Sequence, residues 1–366
     1  TRAERNGVPV SGTFELLPVC NLDCKMCYVR KSVSEVKQLG GLRSADEWIS
    51  LGEKAVRAGM LFLLLTGGEP FLFPELERLY TTLRGMGVAI DINSNGTLIN
   101  EAHLSWLKKN LPRHIKISLY GSSRESYEYL CGKAEAFDKV IRSFELLKSA
   151  GITVYSSITV TPSNYSQLDE MLRICEDFKI PVKATSYMYP PHRSSQMHIH
   201  EKYRLSPEEA ALATLKIVKA NNAEEIFRQK AEEYAQEEYQ NYLNAVQGCT
   251  EYGQMGCRAG RCTFWVTWRG EMIPCAMMDF GKYPVMGDED FAEAWNKTRN
   301  IVSGIYTSAE CRNCIAKKSC YSCAASAFCE TGDTKKRPDY PCQMTAHYLK
   351  LMKQEHLKHS AEILEK

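Results

Sequence analysis

The chain has few of the features that mark membrane, secreted or nucleic-acid-binding proteins. Its longest hydrophobic run, residues 60–65, has the length of a β-strand and falls far short of the ~18 apolar residues of a membrane-spanning helix. Its 46 Lys and Arg residues against 44 Asp and Glu residues leave a net charge of +2, which argues against binding to nucleic acid or to an anionic membrane. No basic and apolar segment opens the sequence as a secretion signal would. These absences predict a cytoplasmic protein.

Cysteine, by contrast, is abundant, with 15 residues in a chain of 366. In a chain without a secretion signal, so many cysteines argue against a disulfide scaffold and favour metal binding. They also suit the cytoplasm of an anaerobic or microaerobic cell. Three of them lie close together near the start, and ten lie between Cys249 and Cys342. The length predicts about two domains. The uneven distribution of the cysteines indicates that the second half is a cysteine-rich domain and the first half is not.

The first half of the chain alternates strand-like and helix-like segments. The six predicted strands are residues 13–18, 60–65, 88–93, 114–119, 153–160 and 182–188. The predicted helices begin at a capping box formed by Ser44 and Glu47 and continue with residues 74–86, 101–110, 137–150 and 165–178. This alternation predicts an α/β fold with a parallel sheet and helices outside it. Six such units fall short of a closed eight-stranded barrel.

The most informative motif consists of three cysteines, Cys20, Cys24 and Cys27, that follow the first predicted strand with the spacing C-x3-C-x2-C. Three thiolates on one short loop can bind three irons of a cubane 4Fe–4S cluster, whereas most electron-transfer clusters are closed by four cysteines. The fourth iron then has no protein ligand, and an open metal position is where chemistry takes place, as it is at catalytic zinc. Taken alone, these cysteines are also compatible with a zinc knuckle or a disulfide.

A second motif, Gly67-Gly68-Glu69-Pro70, directly follows the second predicted strand. In combination with the cysteine loop, it resembles the GGEP motif of the radical S-adenosylmethionine (SAM) superfamily. The resemblance implies a partial (β/α)6 barrel of the TIM type with an open side. It further implies a 4Fe–4S cluster on Cys20, Cys24 and Cys27 that cleaves SAM reductively to a 5′-deoxyadenosyl radical. That radical abstracts hydrogen from carbon.

The same resemblance implies a set of SAM-binding residues at the carboxyl ends of the strands. These are Gly67, Gly68, Glu69, Pro70, Ser94, Asn95 and Ser118. An Asn-Gly turn without a ligand is the alternative for Ser94 and Asn95. Arg142 is either a ligand of the SAM carboxylate or a solvated helix arginine. Cys131 is either a core residue or close to the active site, and Cys175 is predicted to be a small core residue.

The second half of the chain is rich in cysteine after a charged, helix-like segment that begins at Ser206. Gly270 and Cys275 form a G-x4-C unit, predicted to be a hairpin around Arg269 and Gly270, and a C-x2-C-x5-C run follows from Cys311. This arrangement resembles the SPASM domain of radical SAM peptide maturases. The resemblance implies two auxiliary 4Fe–4S clusters, and therefore three clusters in all. Structural zinc is the alternative, but the two C-x2-C pairs lack the spacing of a zinc ribbon.

The family pattern implies how the later cysteines divide between the auxiliary clusters. The first cluster takes Cys257, Cys275 and Cys323, with Cys262 as a candidate fourth ligand. The second cluster takes Cys311, Cys314, Cys320 and Cys342. One departure from the pattern is that two residues, not three, separate Cys320 from Cys323. This short spacing leaves open that Cys329 replaces Cys323, and Cys249 remains without a role.

The resulting prediction is a radical SAM domain at residues 13–205, a helical bridge at 206–247, a SPASM domain at 248–346 and a C-terminal helix at 347–366. The resemblance implies maturation of a precursor peptide, with a thioether cross-link as the favoured product. The motif His192-Arg193 after Tyr189 and the segment around Tyr120 are similar to this branch. The alternatives are carbon–carbon cross-linking, dehydrogenation, oxidation of a small molecule or tetrapyrrole, and a non-catalytic electron carrier.

The resemblance also implies partners. A reducing protein such as a flavodoxin or ferredoxin would supply electrons, and no nucleic acid or membrane partner is expected. Only nineteen residues precede Cys20, too few for a leader-binding domain of about 80 residues, so either a separate leader-binding protein or a longer native chain is expected. Anaerobic sulfatase maturases share both domains but have an Asp after the cysteine of the G-x4-C unit, where this chain has Ala276. That activity is therefore not expected, although Asp279 lies three residues further on.

Overall fold

The computed structural model describes residues 2–191, 202–278 and 280–364. Its main feature is one nine-stranded sheet with the strand order β10-β9-β8-β1-β2-β3-β4-β5-β6. The strands of the first half are β1 Ser11–Glu15, β2 Phe62–Thr66, β3 Ala89–Ser94, β4 His114–Ser118, β5 Val154–Thr159 and β6 Val182–Thr185. Those of the second half are β7 Gly253–Gln254, β8 Thr263–Val266, β9 Glu271–Ile273, β10 Tyr283–Pro284 and β11 Tyr306–Thr307, of which β7 and β11 form a separate pair.

Strands β1 to β6 pair in sequence order, and each pair is parallel. Parallel pairing of consecutive strands requires a crossover between them, and helices supply the crossovers here. The helices of the first half are α1 Arg2–Asn6, α2 Val33–Gln38, α3 Ala45–Arg57, α4 Leu76–Gly85, α5 Glu101–Leu107, α6 Arg124–Cys131, α7 Ala136–Ser149 and α8 Leu168–Asp177. The predicted parallel α/β sheet is therefore present, with each predicted strand shifted or shortened by a few residues.

Alternate residues of strands β3 and β4 point into the hydrophobic core. Ile90 and Ile92 on β3 and Ile115 and Ile117 on β4 are fully buried in the main hydrophobic core. The capping box predicted at Ser44 is observed, since its side chain accepts a hydrogen bond from the Glu47 N–H while the Glu47 carboxylate accepts one from the Ser44 N–H. Cys175 is fully buried, as expected of a small core residue.

The continuous apolar run at residues 60–65 is not buried on both faces. Leu63 and Leu65 are in the core, but Leu61 is 56% exposed and Phe62 is 37% exposed. The exposed ring of Phe62 lies at the amino-terminal edge of β2, where the Arg113 guanidinium covers it at 4.9 Å from the ring centroid. The apolar run is therefore only partly buried, although all of its residues are hydrophobic.

The second half extends the same sheet from the opposite edge. Strand β8 pairs parallel with β1, and β9 pairs antiparallel with β8, which forms the hairpin predicted around Arg269 and Gly270. Trp265 on β8 donates from Nε1 to the buried Glu15 carboxylate on β1 at 3.2 Å. The cysteine-rich half is thus held against the first strand of the barrel through hydrogen bonds and a shared core.

The remaining helices lie mainly in the second half. They are α9 Pro207–Ala220, α10 Glu224–Ala235, α11 Glu237–Gln240, α12 Tyr242–Ala245, α13 Phe291–Ser303, α14 Ala309–Arg312, α15 Ala324–Thr331 and α16 Asp339–Leu364. Asn221 and Asn222 lie in the break between α9 and α10. Among the described residues, no helix is both long enough and apolar enough to cross a membrane.

Candidate functional site

A cavity of about 380 Å³ lies at the carboxyl ends of the parallel strands, which is where ligands bind in such sheets. One wall is the loop of residues 20–30, which carries the three early cysteines. A second wall consists of polar side chains at the strand ends, Asn93, Ser118, Thr159 and Thr185. The cavity is also lined by Tyr187, Met188, Tyr189, Pro191, Ala276 and Met277. The volume is in the range of small-molecule sites.

The structure brings Cys20, Cys24 and Cys27 together on the cavity wall. The Cys20 sulfur accepts hydrogen bonds from the Leu22 N–H at 3.4 Å and from Asn95 Nδ2 at 3.5 Å. Burial raises the pKa of Cys20 to about 12 and also raises the pKa of Cys27. The thiols are therefore neutral by themselves, and a bound metal would be needed to hold them as thiolates.

Cys131, at the end of α6, packs directly behind this loop. A hydrogen bond between the two thiols raises the pKa of Cys24, and burial adds to that effect. The backbone of the loop is fixed to the same helix end, because Asp23 N–H donates to the Cys131 carbonyl at 2.9 Å and Lys25 N–H to the Leu130 carbonyl at 3.0 Å. Cys131 is therefore a fully buried core residue, as one of the two interpretations had it, and it also packs against the loop that carries Cys24.

Gly67 and Gly68 line the cavity and also allow the motif loop to pack on the cysteine loop. A Cβ at Gly67, whose φ is +151°, would lie 2.4 Å from the Leu17 carbonyl oxygen, and a Cβ at Gly68 would lie 2.3 Å from the Val19 carbonyl oxygen. Gly68 N–H donates to Leu17 O at 2.6 Å. The pair of glycines is thus required by contact with the chain's own backbone, in addition to any contact with a ligand.

Glu69 is fully buried behind the cavity wall, and so is Pro70. The Glu69 carboxylate accepts three hydrogen bonds: from Phe71 N–H at 3.0 Å, from Ser94 Oγ at 2.8 Å and from Asn95 N–H at 2.7 Å. Burial raises the pKa of Glu69 to about 7, against the opposing effect of these donors. The carboxylate therefore ties the end of β2 to the end of β3, and its second oxygen keeps acceptor capacity for another donor.

The other residues predicted to bind SAM lie on the cavity wall itself. Ser94, Asn95 and Ser118 all line the cavity. Asn95 is oriented by its own contacts, since Nδ2 donates to Asn21 Oδ1 at 2.9 Å and Oδ1 accepts from Thr97 Oγ1 at 2.6 Å. Sequence reasoning missed Asn93, whose buried Oδ1 on the same wall has no hydrogen-bond partner among the described residues. A polar, unsatisfied acceptor at this point suits a ligand with a donor group.

Arg142 does not lie at the cavity in this structure. Its guanidinium donates to the Glu101 carboxylate at 2.8 Å, and both side chains are about two-thirds exposed. The solvated-arginine interpretation is therefore the one that the structure supports. The positions His192, Arg193 and Asp279 lie outside the described residues.

A second cavity, of about 290 Å³, lies in the cysteine-rich half. Four of the cysteines on its wall are those expected to hold the second auxiliary cluster: Cys311, Cys314, Cys320 and Cys342. Burial raises the pKa of Cys314 to about 11 and that of Cys342 to about 12, and each is raised further by the neighbouring thiols of this group. Cys257 and Cys323 line the same cavity.

The first predicted auxiliary set is brought together only in part. Cys275 is near Cys323 and Cys257, since these thiols add to the burial that raises its pKa to about 11. Cys262 is fully buried elsewhere, with its sulfur 3.9 Å from Glu4 Oε1. Cys329 instead lies near Cys275 and Cys323, and it donates to the Met277 carbonyl at 3.3 Å. Cys249 contacts Asn313 at 3.7 Å.

The thiol groups brought together here are donors of the kind that iron–sulfur clusters and zinc use. Within residues 2–191, 202–278 and 280–364, no three Cys, His, Asp or Glu side chains converge closely enough to hold one ion. A cubane places each thiolate on a different iron, so its ligands stand further apart than those of one ion. Thiolate-only donor sets also favour iron–sulfur clusters over hard cations.

Comparison with known proteins agrees with this chemistry. A family model described as the radical SAM superfamily matches residues 14–175. The AdoMet-dependent heme synthase of Oleidesulfovibrio alaskensis is 24% identical over 332 residues, which cover 87% of this chain and 83% of that protein. The sporulation killing factor maturation protein SkfB of Bacillus subtilis is 24% identical over 168 residues, which cover 46% of this chain and 40% of that protein.

Two solved structures share the fold over most of the chain. The AdoMet-bound structure of anSMEcpe has a TM-score of 0.67 at 18% identity and covers 97% of this chain and 100% of that one. The structure of Streptococcus suis SuiB has a TM-score of 0.67 at 16% identity and covers 91% of this chain and 77% of that one. The predicted fold class, a partial α/β barrel followed by a cysteine-rich module, is confirmed. Residues 14–175 therefore match the radical SAM superfamily, which indicates an enzyme that uses SAM and a 4Fe–4S cluster, and a cysteine-rich second half follows.

Proposed function

We propose that this enzyme matures a ribosomally made peptide by joining a cysteine sulfur to a carbon atom of the same peptide. The observation that carries the proposal is that the early cysteines and the residues next to Cys275 line one cavity. The loop with Cys20, Cys24 and Cys27 lines it, and so do Ala276 and Met277, which directly follow Cys275. A substrate held between them would lie within reach of a radical source on one side and an electron acceptor on the other.

The residues of the first wall are assigned to the SAM-dependent step. Cys20, Cys24 and Cys27 would hold a 4Fe–4S cluster, which together with SAM supplies a radical that abstracts hydrogen from carbon. Gly67, Gly68, Ser94, Asn95 and Ser118 would contact SAM from the strand ends. Glu69 and Pro70 would act from behind the wall, because Glu69 fixes Ser94 and the Asn95 backbone. Asn93 Oδ1 offers a further acceptor to the ligand.

The balance of hydrogen atoms and electrons in this reaction explains why a second cysteine group is needed. The peptide gives one hydrogen atom to the radical, and its thiol gives up one proton while the new carbon–sulfur bond forms. One electron is left over and must leave the substrate. The product is two hydrogens lighter than the peptide. An acceptor for that electron could be held by Cys275, which directly precedes the cavity residues Ala276 and Met277, together with the nearby Cys323.

We assign the second auxiliary cluster to Cys311, Cys314, Cys320 and Cys342, which border one cavity. For the first auxiliary cluster we retain Cys257, Cys275 and Cys323. Cys262 is a poor candidate for its fourth ligand, since it lies against Glu4, and Cys329 is the additional thiol in the neighbourhood of this group. These assignments give three clusters in all.

Proteins with peptide-modifying names support a peptide substrate, and one structural neighbour of similar fold is bound to a precursor peptide. A second candidate is oxidation of a tetrapyrrole. It is favoured by the relatives that align over 87% to 89% of this chain, which are named heme synthases. Lys25 and Arg30 line the cavity and could pair with an acidic ligand of that kind. Carbon–carbon coupling and dehydrogenation of a peptide use the same parts.

The experiment that tests the proposal offers both substrate classes to the same anaerobically reduced enzyme with SAM. One arm contains the peptide encoded beside its gene, with and without any separate leader-binding protein found there. The other arm contains an iron tetrapyrrole that carries propionate groups. Mass spectrometry should show a loss of two hydrogens from the peptide together with 5′-deoxyadenosine. Turnover of the tetrapyrrole with an unchanged peptide would establish the second candidate instead.

A further inference from the structure

Tyr189 stands between the reaction cavity and the proposed first auxiliary cluster. Its side chain lines the cavity that the cysteine loop also lines. Its hydroxyl oxygen lies 3.8 Å from the sulfur of Cys323, within hydrogen-bonding reach for a sulfur atom. One side chain therefore contacts the space for the substrate and also a proposed cluster ligand.

The direction of this hydrogen bond follows from the chemistry of Cys323. A cysteine that binds iron is a thiolate and has no proton to donate, so the Tyr189 hydroxyl must be the donor. Hydrogen bonds to the sulfurs of an iron–sulfur cluster are one of the factors that set its reduction potential. A donor stabilises the added negative charge of the reduced state. The hydroxyl of Tyr189 should therefore raise the reduction potential.

The position of Tyr189 is fixed by a buried network on the far side of the ring. The ring packs edge-to-face on Tyr187, with the centroids 4.8 Å apart. The Tyr187 hydroxyl donates to Glu330 Oε1 at 2.8 Å, and the same carboxylate is paired with Arg204, whose side chain is only 8% exposed. Glu330 lies on α15, the helix that begins after Cys323. Helix α15 thus begins after Cys323 and also carries Glu330, which fixes Tyr187 and, through the ring contact, Tyr189.

We propose that Tyr189 is a positioning residue that sets the reduction potential of the auxiliary cluster held by Cys323. The proposal rests on the proposed function, since it requires an iron–sulfur cluster at Cys257, Cys275 and Cys323. A higher potential makes that cluster a better acceptor for the electron that the substrate gives up when the new bond forms.

The test is a redox titration of the full-length, cluster-loaded protein, followed by electron paramagnetic resonance. Cys20, Cys24 and Cys27 are replaced by Ala in every sample, so the remaining signals come from the auxiliary clusters. Tyr189→Phe, which keeps the ring and removes the hydroxyl, should shift the midpoint potential of one cluster to a more negative value and leave the other unchanged. Tyr340→Phe is the matched control, because its hydroxyl donates to the Leu205 carbonyl at 2.7 Å and its ring also packs on Tyr187. It should shift neither potential.

A spectroscopic signature makes the test independent of the potential. The exchangeable proton of the Tyr189 hydroxyl should be detected by electron–nuclear double resonance after transfer to D2O and should be lost in Tyr189→Phe. The proton of the Ser326 N–H, which donates to the Cys323 sulfur at 3.4 Å, should remain in both proteins. Unchanged potentials and an unchanged proton signal in Tyr189→Phe, at full iron content, would overturn the proposal while leaving the proposed function intact. Absence of auxiliary iron from the parent protein would instead remove the cluster on which both depend.

Discussion

Glu69 Oε2 accepts a hydrogen bond of 2.7 Å from the backbone N–H of Asn95. This contact joins the loop after β2 to the loop after β3, the two loops that were predicted from sequence to bind SAM. The carboxylate is fully buried, and burial raises its pKa to about 7. The conformation of the cavity wall formed by these two loops is therefore coupled to the ionisation of a group behind it.

Glu69 should make the stability of the cluster-free protein fall with rising pH. Its pKa is about 7 in the folded chain, against a reference value of 4.5, so the folded chain binds more protons than the unfolded chain between these values. The stabilisation is fully present below pH 4.5 and is lost as the pH rises through 7, with a total effect on the order of 3 kcal/mol. Thermal unfolding of the wild type between pH 5 and 8 should show this decline.

Glu69→Gln should remove that decline. Its amide cannot ionise, although its NH2 group will oppose at least one of the three donors and lower the stability at every pH. The informative quantity is therefore the slope of melting temperature against pH and not its absolute value. Equal slopes in the wild type and Glu69→Gln would show that Glu69 does not titrate in this range.

The three cysteines of the loop should be needed for SAM cleavage and not for the auxiliary clusters. Replacing Cys20, Cys24 and Cys27 by Ala should abolish formation of 5′-deoxyadenosine and lower the iron content by about four per chain, by the stoichiometry of a cubane. Cys175→Ala, at a buried position that does not line the cavity, serves as the control and should retain activity. Undiminished 5′-deoxyadenosine in the triple variant would refute the assignment.

The iron content of single variants should show which cysteines of the second half bind a cluster and which do not. Three cubanes require about twelve irons and as many sulfides per chain. Cys275→Ser should lose up to about four of these irons, because this position is in the proposed first auxiliary set. Cys262→Ser should retain the wild-type content, since its sulfur lies against Glu4. Wild-type iron near four with stoichiometric zinc would indicate a zinc fold in the second half.

The enzyme should not convert a cysteine or serine of a sulfatase peptide to formylglycine. That oxidation needs a base within hydrogen-bonding reach of its proton. The position where sulfatase maturases have an aspartate is Ala276 here, and it lies on the cavity wall. Among the described residues, the wall of this cavity contains no Asp, Glu or His side chain. Incubation with a sulfatase-derived peptide and mass spectrometry should show no product, and detection of formylglycine would reverse this exclusion.

The fold could be predicted from sequence because the information is local. Apolar segments of strand length alternate with capped helices, and both signals survive in the structure, as at Ser44 and in β2. The boundaries were less accurate, and the short helix α6 was missed although its buried residues Tyr127, Leu130 and Cys131 have helical spacing. Gly132 itself, in the left-handed region at φ 72°, marks where that helix ends.

The arrangement of the site depends on contacts that sequence spacing cannot encode. Cys131 reaches Cys24 only because α6 packs on the cysteine loop. Cys262 was a plausible ligand by spacing, but the pairing of β8 with β1 carries it towards Glu4. Glu69 was expected to bind the ligand. Its carboxylate is buried and accepts three hydrogen bonds from its own loop and the neighbouring loop. In each case the decisive partner is distant in sequence.

The central claim is that the enzyme forms a bond from a peptide cysteine sulfur to carbon. The most direct test compares the natural peptide with one in which every cysteine is replaced by Ala, each incubated with reduced enzyme and SAM and analysed by tandem mass spectrometry. We predict that the natural peptide loses two hydrogens and shows a sulfur–carbon link, and that the Ala peptide keeps its mass. A loss of two hydrogens from the Ala peptide would contradict the claim and would point to carbon–carbon coupling or dehydrogenation.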